Sequence, residues 1–516
     1  MQLTTHDNVD MPAVHGVTIQ KERNDQRVSI IIPHSSTCLE NGSREESKAS
    51  GLVLTTVKEY VSIYKIHGPL KRSLILATAS IMAFLLTFSD TVYLPSLNAA
   101  KTTFHTSDIL VTLSVSIYLF TSGILSLLWG PLSDRLGRKI TIVVALIIFL
   151  AASIACALAS NIIILIVFRA VQGAAISAAM VVGRAVVADI YPVESRGWGT
   201  GIFYLTVLIG PIIGPLVGGA TAGAFGWQST FIMLSILSLL ILVVVFVCVP
   251  ETHQYFVRVQ FEKSNPNKYI IDATPEEKPV FQKPWKPITL LFDMAIAPYI
   301  LLANLTFSGL FISLTVFSNH LHDPPYSYGE TTIGILFVPC GVIMLFGSLL
   351  GGWLSDRARK YYADMKCSEG CLVPTLAFSI LGPIGLVIYG WTFHYRLHLA
   401  GPIMGQILLG LAYSVLAPGM SAYLSAKKQE QAAALSAVGN FLECLISSIF
   451  VTLTVPLSNV IGTGPLFSLI CGINVIAIFL VSMLVFKSIR RANSSSKQQN
   501  VIAFDRKTLE IRLCQS

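Results

Sequence analysis

Long apolar runs alternate with short polar breaks along most of this chain. Crossing about 30 Å of hydrocarbon as a helix takes about 20 predominantly apolar residues. Runs of that size occupy residues 73–95, 110–131, 140–159, 161–188, 200–223, 228–249, 297–320, 331–352, 372–391, 399–420, 432–455 and 464–486, and they predict twelve membrane-spanning helices. No long apolar run precedes Ser73 and the opening MQLTTHDNVD is polar. A cleavable signal peptide is therefore not expected, and the first span is expected to act as the insertion signal. The pattern divides the chain into a disordered tail (1–72), a six-helix half (73–251), a polar central loop (252–296), a second six-helix half (297–486) and a second tail (487–516).

Composition agrees with the periodicity. Hydrophobic residues make up 53% of the chain and charged residues 12%, against about a quarter charged in a soluble domain. That is too little charge to clothe a soluble core, so the chain reads as an all-α membrane protein. The basic residues set its orientation. Lys58, Lys65, Lys71, Arg72, Arg135, Arg138, Lys139, Arg196, Arg357, Arg359, Lys360, Lys427, Lys428, Lys487, Arg490 and Arg491 fall on one face, and the other offers Lys101 and Arg396. Both termini and the central loop are expected in the cytosol. The net charge of +8 then serves topology and attraction to anionic lipid, at about 1 kcal/mol per well-placed basic residue. Nucleic-acid binding is not expected, because no basic helix with interleaved aromatics is present. The cysteines lie in spans or on the cytosolic side, where thiols stay reduced. Cys367 and Cys371 lack a second Cys or His pair, so neither a metal site nor a cofactor is expected.

Charged residues at the breaks carry the next level of information. Gly130-Pro-Leu-Ser-Asp134-Arg135-Leu-Gly137-Arg138-Lys139 joins helices 2 and 3, with Gly130, Pro131 and Gly137 expected to make the turn. A second copy, Gly351-Gly-Trp-Leu-Ser-Asp356-Arg357-Ala358-Arg359-Lys360, follows helix 8. Two copies at corresponding places indicate a transporter built from repeats, with its substrate site between them. Further short stretches are Arg169-Ala-Val-Gln172-Gly173 in helix 4, Gly210-Pro211-Ile-Ile-Gly214-Pro215-Leu-Val-Gly218-Gly219 in helix 5, and Pro250-Glu251-Thr252 after helix 6. With these motifs, residues 70–490 resemble the major facilitator superfamily, and within it the twelve-helix fungal drug:proton antiporters of the quinidine-resistance group. The resemblance implies the major facilitator fold of two pseudo-symmetric six-helix halves.

It also implies roles. Gly130, Asp134, Arg135, Gly137 and Arg138, with Asp189 at the inner end of helix 4, match a cytosolic latch that holds the halves together when the cavity opens outward; Asp356 and Arg357 are its second copy. A carboxylate suits that task, being favoured at a helix N-terminus by about 0.3–1 kcal/mol. The alternative is that the basic residues only set topology. Arg169 lies about 12 Å into helix 4 at 1.5 Å per residue, where an unpaired Arg costs at least about 2.5 kcal/mol. Snorkelling to the outer interface or a structural carbonyl bond would compensate; the resemblance implies instead that Arg169 faces the cavity and acts on a proton-binding carboxylate. Asp90 in helix 1 is the leading candidate, because burial opposes its charge and a guanidinium favours it. Glu443 is the rival, on a helix expected to pack away from the cavity centre. The helix 5 run places small residues on successive turns, permitting close approach of another backbone; contact with helix 8 or a kink is expected. Gln172, Tyr118, Tyr204, Phe307 and Phe311 are candidate lining residues for flat amphipathic molecules.

The leading function is a proton-coupled secondary transporter exporting amphipathic organic compounds or drugs. The sequence has no G-x-x-x-x-G-K-[ST] and no soluble domain for a nucleotide, and no enzyme activity is expected. The alternative is a facilitator uniporter, importer or exporter of a defined metabolite such as a polyamine, amino acid or organic acid. The expected partners are a small-molecule substrate, protons and lipid. The chain is expected to act as a monomer in the plasma membrane, with the vacuolar membrane as the other location.

Overall fold

A computed structural model describes residues 18–21, 28–31, 59–61, 64, 66–264, 269–271, 283–293, 296–362, 368–427 and 432–515. Among them twelve helices are long and apolar enough to span a membrane, numbered 1 to 12 here: Pro69–Phe104, Asp108–Leu136, Arg138–Ala157, Ile162–Ile190, Ser195–Phe225, Gln228–Cys248, Ala297–His322, Glu330–Tyr361, Glu369–His394, Ala400–Leu424, Ala437–Ile461 and Thr463–Asn493. Their outward side chains, such as Ile163, Val247 and Phe479, are exposed, as suits a surface solvated by lipid rather than water. Because successive spans alternate in direction, loop 2–3, the starts of helices 1 and 7 and the ends of helices 6 and 12 share one face, called the basic face below.

Packing repeats between the halves. Helix 1 lies on helix 5 as helix 7 lies on helix 11; helix 2 on helix 4 as helix 8 on helix 10; helix 3 on helix 6 as helix 9 on helix 12. The halves meet through two equivalent seams, helix 2 with helix 11 and helix 5 with helix 8. These seams close toward the face opposite the basic one. There Thr452 donates to Ser116 Oγ (2.8 Å), Ser318 to the Pro95 carbonyl (3.3 Å) and Thr331 to the Gly219 carbonyl (3.3 Å). At mid-depth Gly123 leaves room for Cys444. Toward the basic face the halves part: a Cβ on Gly439 of helix 11 would meet nothing, and one on Gly130 of helix 2 would meet only Val181 of its own half.

Local structure departs from expectation in several places. Helix 2 runs through Gly130 and Pro131 to Leu136, so the turn into helix 3 is Gly137 alone. Its φ of +96° is a conformation that side-chain-bearing residues avoid, and it reverses the chain in one step. The second copy makes no loop: residues 351–360 are helical, and helix 8 continues to Tyr361. Ala358 stands where the first copy has Leu136-Gly137, so no residue there favours the turn. The N-terminal tail expected to be disordered has strands Thr18–Lys21 and Val28–Ile31 paired with each other, and Glu59–Val61 paired with Tyr269–Ile271 of the central loop; the remainder of residues 1–63 lies outside the described residues. The C-terminal tail prolongs helix 12 to Gln515.

The helix 5 glycines mainly serve helix 1. Gly210 faces Thr87 and the Phe88 backbone, Gly214 faces Thr91, and Gly218 abuts the Val92 carbonyl; Gly219 and Gly223 turn to helix 8, against Glu330, Gly334 and Thr331. Spacing by four residues puts Gly210, Gly214 and Gly218 on one stripe, letting two backbones approach as small residues do inside membranes. Gly218→Ala would drive a methyl into a carbonyl that cannot rotate away, at about 1–3 kcal/mol of overpacking. Its melting temperature in detergent should fall, whereas Gly352→Ala, whose Cβ would meet nothing, should melt like the parent.

Candidate functional site

Helix 4 begins at Asn161, whose side chain accepts from the Ile164 amide (2.9 Å), and two turns further in it carries Arg169. The guanidinium has no exposed surface. Its Nη1 donates to Gln172 Oε1 (2.7 Å) and its Nε to the Ser114 carbonyl of helix 2 (3.3 Å). Gln172 passes the chain on to Ser153 Oγ of helix 3 (2.8 Å). The guanidinium lies 4.1 Å from the Tyr118 ring centroid, with Tyr93 at 5.5 Å and Phe231 at 5.9 Å. Aromatic faces and oriented carbonyl and amide oxygens thus replace water around the charge. Full enclosure excludes snorkelling. Gln172 is also fully buried, so it positions Arg169 and does not line an opening. Tyr118 is buried with its hydroxyl on the Leu86 carbonyl (3.2 Å).

Asp90 lies close by, in the last turn of the first continuous stretch of helix 1, Pro69–Thr91. Its Oδ1 is buried without a hydrogen-bond partner, and among the described residues no ion pair joins it to Arg169. Its carboxyl lies within electrostatic reach of Arg169 and of Glu443 on helix 11. Helix 11 therefore does not pack away from the centre: it brings Glu443 to the seam with helix 2, where Gly123 admits the neighbouring Cys444. Glu443 Oε1 accepts from the Tyr413 hydroxyl (2.7 Å). Tyr413 packs on Phe307 at 5.0 Å, and Phe307 on buried Phe311 at 5.8 Å. Across the opening, Arg184 donates to the Met180 carbonyl (3.2 Å) and the Tyr204 hydroxyl (3.4 Å), and its charge reaches Glu443.

Sequence reasoning did not single out Arg184 or Tyr413. The signal for Arg184 was present: a basic residue inside the apolar run of helix 4 needs a partner as much as Arg169 does. Tyr413 had none, since a tyrosine in a span does not announce its neighbour.

A second cluster closes the basic face of the first half. Arg138 Nη1 donates to Asp134 Oδ1 (2.5 Å) and Ser133 Oγ (2.6 Å), and its Nε to Asp189 Oδ2 (2.9 Å). Glu251 caps helix 3: Oε1 accepts from the Arg138 amide (2.8 Å) and Oε2 from the Lys139 amide (3.2 Å). Oε1 also accepts from the Thr252 and His253 amides (3.0 and 2.9 Å). A carboxylate at a helix N-terminus satisfies free amides and the helix dipole together. Arg135 is exposed. The second copy forms nothing comparable: exposed Asp356 lies 3.7 Å from Arg359, and Arg357 rests on Trp353. The second half instead joins the start of helix 9 to the end of helix 10 through Glu369 and Lys427 (2.6 Å).

Arg138 and Asp189 are both mostly buried, so removing one partner strands the other. Arg138→Ala should destabilise the folded protein by about 3–5 kcal/mol, read as a lower melting temperature in detergent. Adding Asp189→Asn to that variant should recover part of the loss, and Arg135→Ala should cost little.

The chain has known relatives. The family model of the Major Facilitator Superfamily matches residues 79–452. The MFS antiporter QDR3 of Candida albicans is 25% identical over 78% of this chain and 75% of its own length. The efflux pump radE of Floropilus chiversii is 26% identical, covering 84% and 82%. The MFS transporter fsa7 of a Fusarium species is 30% identical, covering 76% and 80%. Among solved structures, a bacterial homologue of the human lysosomal transporter Spinster aligns with TM-score 0.60 at 16% identity, over 82% of this chain and 98% of that one. The D-xylose–proton symporter aligns with TM-score 0.58 at 16% identity, over 79% and 97%. A match over this much of the sequence shows that the chain belongs to the Major Facilitator Superfamily, resembles its fungal drug:proton antiporters, and is a membrane transporter rather than an enzyme.

Proposed function

We propose that the chain exports amphipathic organic molecules in exchange for protons, by alternating access, with its basic face in the cytosol of a fungal cell and the plasma membrane as its site. The observation that carries this proposal is Asp90: a carboxyl on helix 1 with a buried, unpartnered oxygen, within electrostatic reach of the Arg169 guanidinium and of the Glu443 carboxyl from the other half. A carboxyl so placed can hold a proton in one conformation and lose it in another as Arg169 and the second half shift. The relatives named as an antiporter and an efflux pump support export, and Tyr204, Phe307 and Tyr413 give the opening flat apolar faces, the two tyrosines with polar tips.

Proteoliposomes with an imposed pH gradient test the coupling. Asp90→Asn, which mimics the protonated carboxyl, should abolish concentrative efflux of an amphipathic dye while leaving downhill exchange measurable. Arg169→Ala should impair both, and Arg169→Lys should rescue in part, because an ammonium cannot keep the stacked, forked geometry. Concentrative efflux by Asp90→Asn would remove that residue from the coupling.

For the cluster at Asp134, Arg138 and Asp189 we propose the latch role in the conformation closed toward the basic face, with Glu251 fixing the helix 3 start against which it acts. Asp134→Asn should then express normally, transport poorly, and leave added cysteines near the basic face more reactive. Wild-type efflux by that variant would set the latch aside.

A further inference from the structure

We infer that Arg184 and Glu443 form a cross-half ion pair when the basic face closes, and that protonating Glu443 releases it and returns the transporter to the conformation seen here. This rests on the proton-coupled export proposed above and adds positioning residues to it.

The geometry points to this pair for three reasons. The two side chains belong to opposite halves, Arg184 to helix 4 and Glu443 to helix 11, on either side of the region where the halves diverge. Each is held by a tyrosine of its own half: Tyr204 receives the guanidinium (3.4 Å), and Tyr413 donates to the carboxylate (2.7 Å). In this open arrangement no ion pair joins them among the described residues, although the charge of Arg184 already acts on Glu443. Closing the gap beside Gly439, where a Cβ meets nothing, carries helix 11 toward the first half and Glu443 toward Arg184. Other groups around Glu443 are Asp90 of helix 1, Tyr413 of helix 10 and Cys444 of its own helix. Helix 7 adds Phe307, against Tyr413, and Ser308, which bonds Ser447 (2.9 Å). Arg184 is the cation of this set that belongs to the opposing wall.

The cycle then balances. With Glu443 ionised and substrate bound, the pair forms and the basic face closes. A proton from the opposite side converts the carboxylate to the neutral acid, which attracts Arg184 far less, and the basic face opens. The proton then leaves Glu443 for water in the opening, restoring the carboxylate.

The test is cysteine accessibility from the basic face. Gly439→Cys sits in open space in this conformation and reports the opening when an impermeant maleimide is applied to inside-out vesicles, with labelling counted above that of the chain without the added cysteine. With a saturating amphipathic dye as substrate, labelling of the parent at alkaline pH should be slow relative to a Glu443→Gln background, and the difference should vanish at acidic pH. A coupled pair of this kind shifts a two-state equilibrium by roughly 5-fold or more, and that is the expected ratio. Arg184→Gln should behave as Glu443→Gln does, Arg184→Lys should keep the parent's pH dependence, and Arg184→Glu combined with Glu443→Arg should restore slow labelling. Equal labelling of parent, Glu443→Gln and Arg184→Gln at both pH values, with each variant eluting as folded protein, overturns the pair. Loss of proton-driven efflux in the parent itself would instead overturn the transport proposal, whereas gradient-driven efflux with pH-insensitive labelling rejects the pair alone.

Discussion

A guanidinium with no exposed surface inside a lipid-solvated bundle constrains everything near it. Leaving such a charge unpaired at this depth costs at least about 2.5 kcal/mol, so the bundle has to supply what water would. It does so with parts of several helices: the Ser114 carbonyl of helix 2, Gln172 of helix 4 backed by Ser153 of helix 3, and a ring face from Tyr118. Gly173 follows from the same requirement. It lies against the Tyr118 carbonyl, and any side chain there would push helix 4 off helix 2 and separate Arg169 from its acceptors. The R-x-x-Q-G spelling is thus a packing instruction as much as a chemical one. Asp90 is left as the carboxyl beside a cation whose Nε and Nη1 are committed elsewhere and whose buried Nη2 has no hydrogen-bond partner.

The basic face shows the same economy. Arg138 would be a costly burial on its own, but two carboxylates and a serine hydroxyl surround it while its own amide is capped by Glu251. Asp134, Asp189 and Glu251 come from three separate stretches of the first half, so the cluster fixes the ends of helices 2, 3, 4 and 6 relative to one another. The second half solves the matching problem with opposite signs: Glu369 stands at the start of helix 9, where the first half has Arg138 at the start of helix 3, and Lys427 at the end of helix 10, where it has Asp189. Helix packing is conserved between the repeats while the ionic solution is inverted.

How much of this could be read from the sequence depends on the kind of signal. The spans were legible because hydrocarbon thickness imposes a length on each of them. The turn at Gly137 was legible only as a region: Gly130 and Pro131 looked like equal candidates, yet a helix leaving the membrane tolerates a proline more readily than the chain can reverse without a positive φ. The second motif copy misled because similarity of letters hid one missing glycine, and a loop became the end of helix 8. Gly210, Gly214 and Gly218 announced a close approach but not its partner, since spacing specifies a stripe and only tertiary structure says that helix 1 lies under it. Glu251 was visible as part of a short motif, whereas its contact with helix 3 crosses more than a hundred residues and leaves no local trace.

The contacts between the halves differ in kind from those within them. Inside the first half, Gly210, Gly214 and Gly218 hold helices 1 and 5 at a distance that a single methyl would spoil, and buried ions lock the helix ends. Between the halves, the hydrogen bonds named above are isolated hydroxyl contacts, Thr452 with Ser116, Ser318 with the Pro95 carbonyl and Thr331 with the Gly219 carbonyl. Each is worth about 0.5–1.5 kcal/mol net. Breaking them exposes hydroxyls that water in an opening cavity satisfies at once, so their loss is nearly neutral. Breaking the Arg138 cluster would strand charges with no such replacement. Among the described residues the ion pairs are thus confined within each half, while single hydroxyl contacts and close glycine packing, Gly123 with Cys444 and Gly219 with Gly334, join the halves.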